Sequence, residues 1–317
     1  MKQTSSVSSR KSYNMQKINQ YKLIKTLGSG AFGTVYLCEN AEDDQLYAMK
    51  VIKRCKLKSI DAKGMVRYSV SEMDVLKSLV HTNIVKLHEI IDDPLKNKIY
   101  LVMDYLSGGT VGQQLQKSEN GLPEEQARLY FRQLISAIHY CHEVRKLAHR
   151  DIKPENMMLD PSGRLVLCDF GVSQFFEADS DLVRGTLGTI RFMAPELFGA
   201  SANKILYGKS IDIWAAGITL FLLLTKEFPF KGGSLPEIAE QLSNSEPPLH
   251  KIENKEIRQL LMAILAKDPA KRPAAIDIVE NEWLTRGGQD PIDLDLESVS
   301  CLSMETDPEV GTPLSRQ

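Results

Sequence analysis

Three glycines and one lysine open the part of this chain that could do chemistry. Gly28, Gly30 and Gly33, followed by Val35, spell G-x-G-x-x-G-x-V. Glycine lets backbone N–H groups come close to phosphate oxygens. A dinucleotide-binding loop has the same glycines, and an ordinary hairpin can carry them too. The next residues discriminate: a dinucleotide-binding loop opens a helix, whereas Val35, Tyr36, Leu37 and Cys38 continue as a strand. Then comes Tyr47-Ala48-Met49-Lys50. A lysine among apolar neighbours on a buried strand needs a charged partner. Glu72, on the helical stretch that follows, can supply it. Taken singly, each would read as a surface residue.

Further along lie His149-Arg150-Asp151-Ile152-Lys153-Pro154-Glu155-Asn156, then Asp169-Phe170-Gly171 after the apolar residues 165–168. Gly188-Thr189 and Ala194-Pro195-Glu196 follow. Any one of these strings could be structural. Together, in this order and rough spacing, they match the signature set of protein kinases. The sequence resembles the eukaryotic protein kinase family over about residues 21–284.

The resemblance implies ATP and Mg²⁺ as cofactors and in-line transfer of the γ-phosphoryl group. It assigns Asp151 to the substrate hydroxyl and its proton, and Lys153 to the transferring phosphoryl group. Thr189 stands beside them. Asn156 and Asp169 bind the metal, and Lys50, paired with Glu72, steadies the α/β-phosphates. The nucleotide cleft comprises Leu27, Gly28, Ser29, Gly30, Ala31, Phe32, Gly33, Val35, Ala48 and Met158. Met103 is its gatekeeper, and Asp104, Tyr105 and Leu106 are the hinge. Leu76, Leu87, His149 and Phe170 resemble the family's regulatory stack. Asp212, Trp214 and Gly217 match a buried helix that anchors the loop around Asp151. Glu196 matches a glutamate paired with an arginine, here Arg272. Arg150 resembles an arginine that binds a phosphate on the segment before Glu196, with Thr186 as the expected phosphosite and Ser180 behind it. Thr110 replaces an acid common in the family.

The elements that must position these residues change character once. Residues 21–27, 34–38, 46–52, 85–91 and 99–103 are rich in Val, Ile and Tyr between turn residues, which predicts strands. One helix interrupts them, with apolar positions Met65, Val66, Val70, Met73, Leu76 and Val80. After residue 122 the pattern is mostly helical. Pro123 with Glu124 and Glu125 makes a helix start, and Ser210 reads as the N-cap of the apolar helix through Leu224. The fold class is α+β, a bilobal kinase fold. A small β-rich N-lobe with one main helix (21–105) precedes a larger, mostly helical C-lobe (106–284). Residues 1–20 carry four bases and no acids and read as a flexible leader. Residues 285–317 read as a flexible acidic tail, with seven acids against Arg316 as the one base from 287 onward.

Composition excludes several classes. Net charge is −2, so nucleic acid is not an expected partner. The five cysteines are scattered without a CxxC pair, which argues for reduced thiols rather than disulfides or zinc. The start is polar and lacks the apolar core of a secretory signal. The longest apolar run, residues 213–225, is short for a membrane span of roughly 20 residues. These features suggest a cytoplasmic or nuclear location and no membrane insertion.

Lys153 and Thr189 favour serine/threonine over tyrosine substrates. Residues 86–94 (KLHEIIDDP), 169–173 (DFGVS), 192–196 (FMAPE) and 283–287 (WLTRG) resemble the calcium/calmodulin-dependent protein kinase kinases. That resemblance implies protein substrates that are themselves kinases, labelled on activation-loop threonines. The group's Arg/Pro-rich insert is missing after Lys50, and no basic amphipathic helix follows residue 284, which leaves calmodulin open as a partner. A serine/threonine kinase of another pathway and a pseudokinase scaffold are the alternative readings. The complete set Lys50, Glu72, Asp151, Asn156 and Asp169 speaks against the scaffold. The segment 188–196 speaks against a small-molecule phosphotransferase.

Overall fold

Alternation of branched and polar residues gives the first third of the chain its strands. In the computed structural model, residues 2–4, 11–12, 15–30, 33–53, 58–60, 66–68, 72–177, 180–184, 187–198 and 205–294 are described. The strands β1 (Lys2–Thr4), β2 (Lys11–Ser12), β3 (Met15–Ile18), β4 (Tyr21–Gly30), β5 (Gly33–Asn40) and β6 (Leu46–Lys53) come first. A small hairpin follows, β7 (Lys58–Ile60) with β8 (Val66–Tyr68). Then come helix α1 (Glu72–Ser78) and strands β9 (Leu87–Asp93) and β10 (Lys98–Asp104). Eight of these strands form one sheet in the order β1-β9-β10-β6-β5-β4-β3-β2. All neighbours are antiparallel except β1 on β9. A small core of Ile18, Tyr21, Cys38, Met49, Ile91, Tyr100 and Val102 packs one part of this sheet.

The rest is helical around two long helices. After α2 (Val111–Lys117), α3 (Glu124–His139) opens behind Pro123 with two acids in its first turn, as expected. Short strands β11 (Leu147–Ala148), β12 (Met157–Leu159), β13 (Leu165–Leu167), β14 (Gln174–Phe175), β15 (Leu182–Arg184) and β16 (Ile205–Tyr207) frame the loops between them. Helix α4 (Gly208–Thr225) follows, then α5 (Leu235–Asn244), α6 (Lys255–Ile264), α7 (Ala275–Val279) and α8 (Glu282–Thr285). By length and composition α4 could cross a membrane, yet 78% of it is buried inside the fold. Trp214, Phe221, Phe131 and Phe170 are among the largest fully buried side chains of the main core.

Four expectations need correction. The first helix does not run from Met65: it begins at Glu72, and Val66–Tyr68 is a strand paired with Lys58–Ile60. Ser210 is not an N-cap. It lies inside α4 and donates to the Pro269 carbonyl at 3.1 Å, while Asp181 satisfies the helix start from another segment. The leader is not wholly flexible, because β1, β2 and β3 extend the sheet by backbone pairing at its two edges. The tail is docked as far as residue 294. Asp290 pairs with Arg128 and Arg132 at 3.0 Å each, and Ile292 and Leu294 pack on the core. Two arginines on one face of α3, one of them 4% exposed, require an acid there.

Candidate functional site

Between the sheet and the helical part lies a cleft of about 500 Å³. Its roof is the β4–β5 hairpin, which pairs Gly28 with Val35, Ser29 with Thr34 and Gly30 with Gly33. Gly33 is obligatory: its φ is +140°, and a Cβ there would sit 2.2 Å from the Val51 carbonyl oxygen. Ala31 and Phe32 lie outside the described residues. Leu27, Gly28, Ser29, Gly30, Gly33, Val35, Ala48, Lys50, Met103, Asp104, Leu106 and Met158 all line the cleft, with Glu72, Asn156 and Asp169 at the same cavity. Five lining residues were not singled out from the sequence: Val85, Ser107, Gly109, Gln113 and Cys168. Gln113 had a readable signal. With Thr110 it forms a T-x-x-Q capping box that starts α2, each side chain accepting the other's backbone N–H at 3.1 Å. That cap is the role Thr110 plays where the family often has an acid.

On one wall Lys50 is held between two carboxylates. Its ammonium donates to Glu72 and, at 3.0 Å, to Asp169 Oδ1. The Lys50 and Glu72 side chains are 9% and 8% exposed. Burial works against the Lys50 charge, but Glu72 and Asp169 outweigh it and hold the ammonium above the ordinary lysine pKa. Burial lifts the Glu72 carboxyl, with the ammonium offsetting only part of the effect. For Asp169 burial also pushes upward, yet Lys50 prevails and keeps it below the usual carboxylate range. Glu72 stands on α1, whose Leu76 packs in one apolar core with Leu87 and Phe170. The His149 ring meets Phe170 edge-on at 4.7 Å, so all four stack residues are buried next to the cleft.

Next to the cleft three side chains, one of them the cleft-lining Asn156, converge on the Asp151 carboxylate. Lys153 Nζ donates to Asp151 Oδ2 and to Thr189 Oγ1, both at 2.7 Å. Thr189 donates in turn to Asp151 Oδ1 at 2.8 Å. Asn156 Nδ2 reaches Asp151 Oδ2 at 3.0 Å and the Asp151 carbonyl at 2.8 Å. Gly188, at φ +116°, lets this segment approach, since a Cβ there would lie 2.5 Å from the Arg150 carbonyl oxygen. Underneath, the fully buried Asp212 on α4 accepts the backbone N–H groups of His149 and Arg150 at 2.7 Å each and His142 Nε2 at 2.9 Å. Glu196 and Arg272 form a bidentate pair at 2.7 and 2.8 Å, as the resemblance implied. Ser180 pairs by an isolated bridge with Glu177, and Thr186 lies outside the described residues.

These groups present hydrogen-bond donors, acceptor carboxylates and two cations in and beside one cavity. That arrangement suits a polyanion and a hydroxyl nucleophile. Among the described residues no three His, Cys, Asp or Glu side chains converge as a metal cage. Asp169 and Asn156 offer oxygen donors only, which fits a hard cation completing its shell with phosphate oxygens and water.

A family model for the protein kinase domain matches residues 21–284. A probable serine/threonine-protein kinase of Dictyostelium discoideum is 35% identical over 87% of this chain and 39% of its own length. The calcium/calmodulin-dependent protein kinase kinase of Caenorhabditis elegans is 33% identical over 92% of this chain and 58% of its own. The rice (Oryza sativa subsp. japonica) CBL-interacting protein kinase 5 is 36% identical over 85% and 57%. The chain thus spans less than two thirds of these curated relatives. The cleft, its ordered motifs and these matches agree: the chain belongs to the eukaryotic serine/threonine protein kinase family, whose domain uses ATP and a divalent metal.

Proposed function

We propose that this chain transfers the γ-phosphoryl group of ATP to serine and threonine hydroxyls of proteins. The observation that carries the reading is the hydrogen-bonded set Asp151, Lys153, Thr189 and Asn156, joined through Asn156 to the cleft that Lys50, Glu72 and Asp169 line. In this reading Val35, Ala48 and Met158 hold the base, Asp104 to Leu106 provide its backbone partners, and the Gly28–Gly33 hairpin covers the phosphates. Lys50 neutralises the α/β-phosphates. Asp151, its carboxylate immobilised by three donors, orients the incoming hydroxyl and takes its proton. Lys153 lies where charge builds on the transferring group. Preorganised charge of this kind is the main catalytic device for phosphoryl transfer. Asp169 and Asn156 would hold Mg²⁺, which when bound would offset the phosphate charge.

The likeness to the Caenorhabditis elegans relative favours other protein kinases as substrates, labelled on activation-loop threonines. Asp169→Asn tests the core of the reading. It should abolish transfer from radiolabelled ATP while the circular dichroism spectrum and melting curve stay near wild type. Persistent transfer in that variant rules the assignment out.

A further inference from the structure

Two groups beside the Asp151 loop have no part in the chemistry above: the Arg150 guanidinium and the Gln174 amide. Arg150 is 6% exposed. Its Nη1 donates to Gln174 Oε1 at 2.9 Å, and its Nη2 donates to the Arg184 carbonyl at 3.0 Å. The same Gln174 oxygen accepts the Arg184 backbone N–H at 3.2 Å. One amide oxygen therefore serves two donors, and Arg150, Gln174 and Arg184 close a ring. Both partners of Gln174 are donors, which fixes the amide with its oxygen facing the ring.

The ring ties three pieces of chain together. Gln174 lies on β14, which pairs with β11 immediately before His149. Arg184 lies on β15, which pairs with β16 just before α4. Asp181 fastens the near end: its carbonyl accepts the Gly208 N–H at 2.7 Å and its carboxylate the Lys209 N–H at 3.2 Å. Val183, between these fixings, is fully buried. A buried guanidinium demands acceptors. A phosphate would be the strongest, and phosphorylation often orders a segment by supplying one. Here an amide and a peptide carbonyl already meet the demand.

We propose that Gln174 is a positioning residue: through Arg150 and Arg184 it holds residues 182–184 against the Asp151 loop without a phosphate on that segment. The inference rests on the phosphotransfer reading for its effect on rate. Phosphorylation at Thr186 would then adjust an assembled site rather than create it.

The test uses the full chain, phosphatase-treated and shown by intact mass to carry no phosphate. Two quantities are read: hydrogen exchange at the amides of residues 182–184, and initial rates of protein phosphorylation. Wild type should show protected amides and a kcat within about three-fold of the untreated protein. Gln174→Ala should lose that protection and drop about ten-fold or more in kcat, with KM for ATP unchanged, as expected when a remote support shifts catalytic geometry. Gln174→Glu, which keeps the acceptor oxygens, should restore both. Unprotected amides in unphosphorylated wild type overturn the inference, as does wild-type protection and kcat in Gln174→Ala. Protected amides in wild type with no transfer to any protein sink the phosphotransfer reading and leave the anchor standing.

Discussion

Replacing Asp212 by asparagine separates positioning from chemistry. The residue touches no part of the cleft, yet its carboxylate takes three hydrogen bonds in a fully buried place. Oδ1 serves the Arg150 N–H, while Oδ2 serves the His149 N–H and His142. These bonds hold Arg150 at a φ of 70°, a left-handed conformation that a side chain with a Cβ rarely adopts, and so turn the chain into Asp151. Asparagine keeps one oxygen and puts an N–H₂ where an acceptor is needed. At least one backbone N–H then faces a donor and loses its partner. Each buried unsatisfied donor costs about 1–3 kcal/mol, so the variant should lose about 2–5 kcal/mol in urea unfolding. A shift of about 1 Å at a catalytic group costs about 100-fold in rate, and kcat should fall by that order. KM for ATP should stay near wild type, because the hairpin and hinge are untouched. A wild-type kcat in a measurably destabilised variant would refute the claim that Asp212 positions Asp151.

Two further outcomes follow from the buried charges. Asp290→Ala should destabilise the fold by about 1–3 kcal/mol in urea, since Arg128 and Arg132 lose a shared carboxylate, although Arg128 keeps Glu125 and the Leu284 carbonyl. Unchanged stability there would mean the tail is not held by these pairs. Lys50→Met should abolish transfer and also alter pH dependence. The ammonium keeps Asp169 below the usual carboxylate range, so its charge persists as pH falls and is lost only through that lowered value. Without Lys50, burial pushes it upward against only His149 and the Gly171 N–H. The acid-side loss of Mg²⁺-dependent ADP binding, followed by calorimetry, should therefore move to higher pH. An acid limb that stays in place contradicts the electrostatic account.

The parts of the site that the sequence makes legible are those whose chemistry is concentrated in short strings. Asp151, Lys153 and Asn156 fall within six residues, so a few local turns bring them together. Lys50 and Glu72 were readable despite their separation because a buried strand lysine has to find a carboxylate. What was not legible depends on contacts between distant segments. The docking of Asp290 needs Arg128 and Arg132 on α3, more than 150 residues earlier. Asp181 caps α4 from a separate loop, which makes the nearby Ser210 a false signal. Apolar spacing around Met65 suits a helix face, yet the described chain there is a hairpin, and only Glu72–Ser78 is helical. Gln174 carries no signal in the sequence, because its role depends on Arg150 and Arg184 meeting its side-chain oxygen.

The most direct test of the central claim is phosphoamino acid analysis of proteins labelled with radioactive ATP and Mg²⁺, using a panel of inactive kinases as substrates. The account predicts phosphoserine and phosphothreonine, with activation-loop threonines among the sites, and no label with Asp151→Asn. Phosphotyrosine as the sole product, or equal labelling by Asp151→Asn, would contradict it.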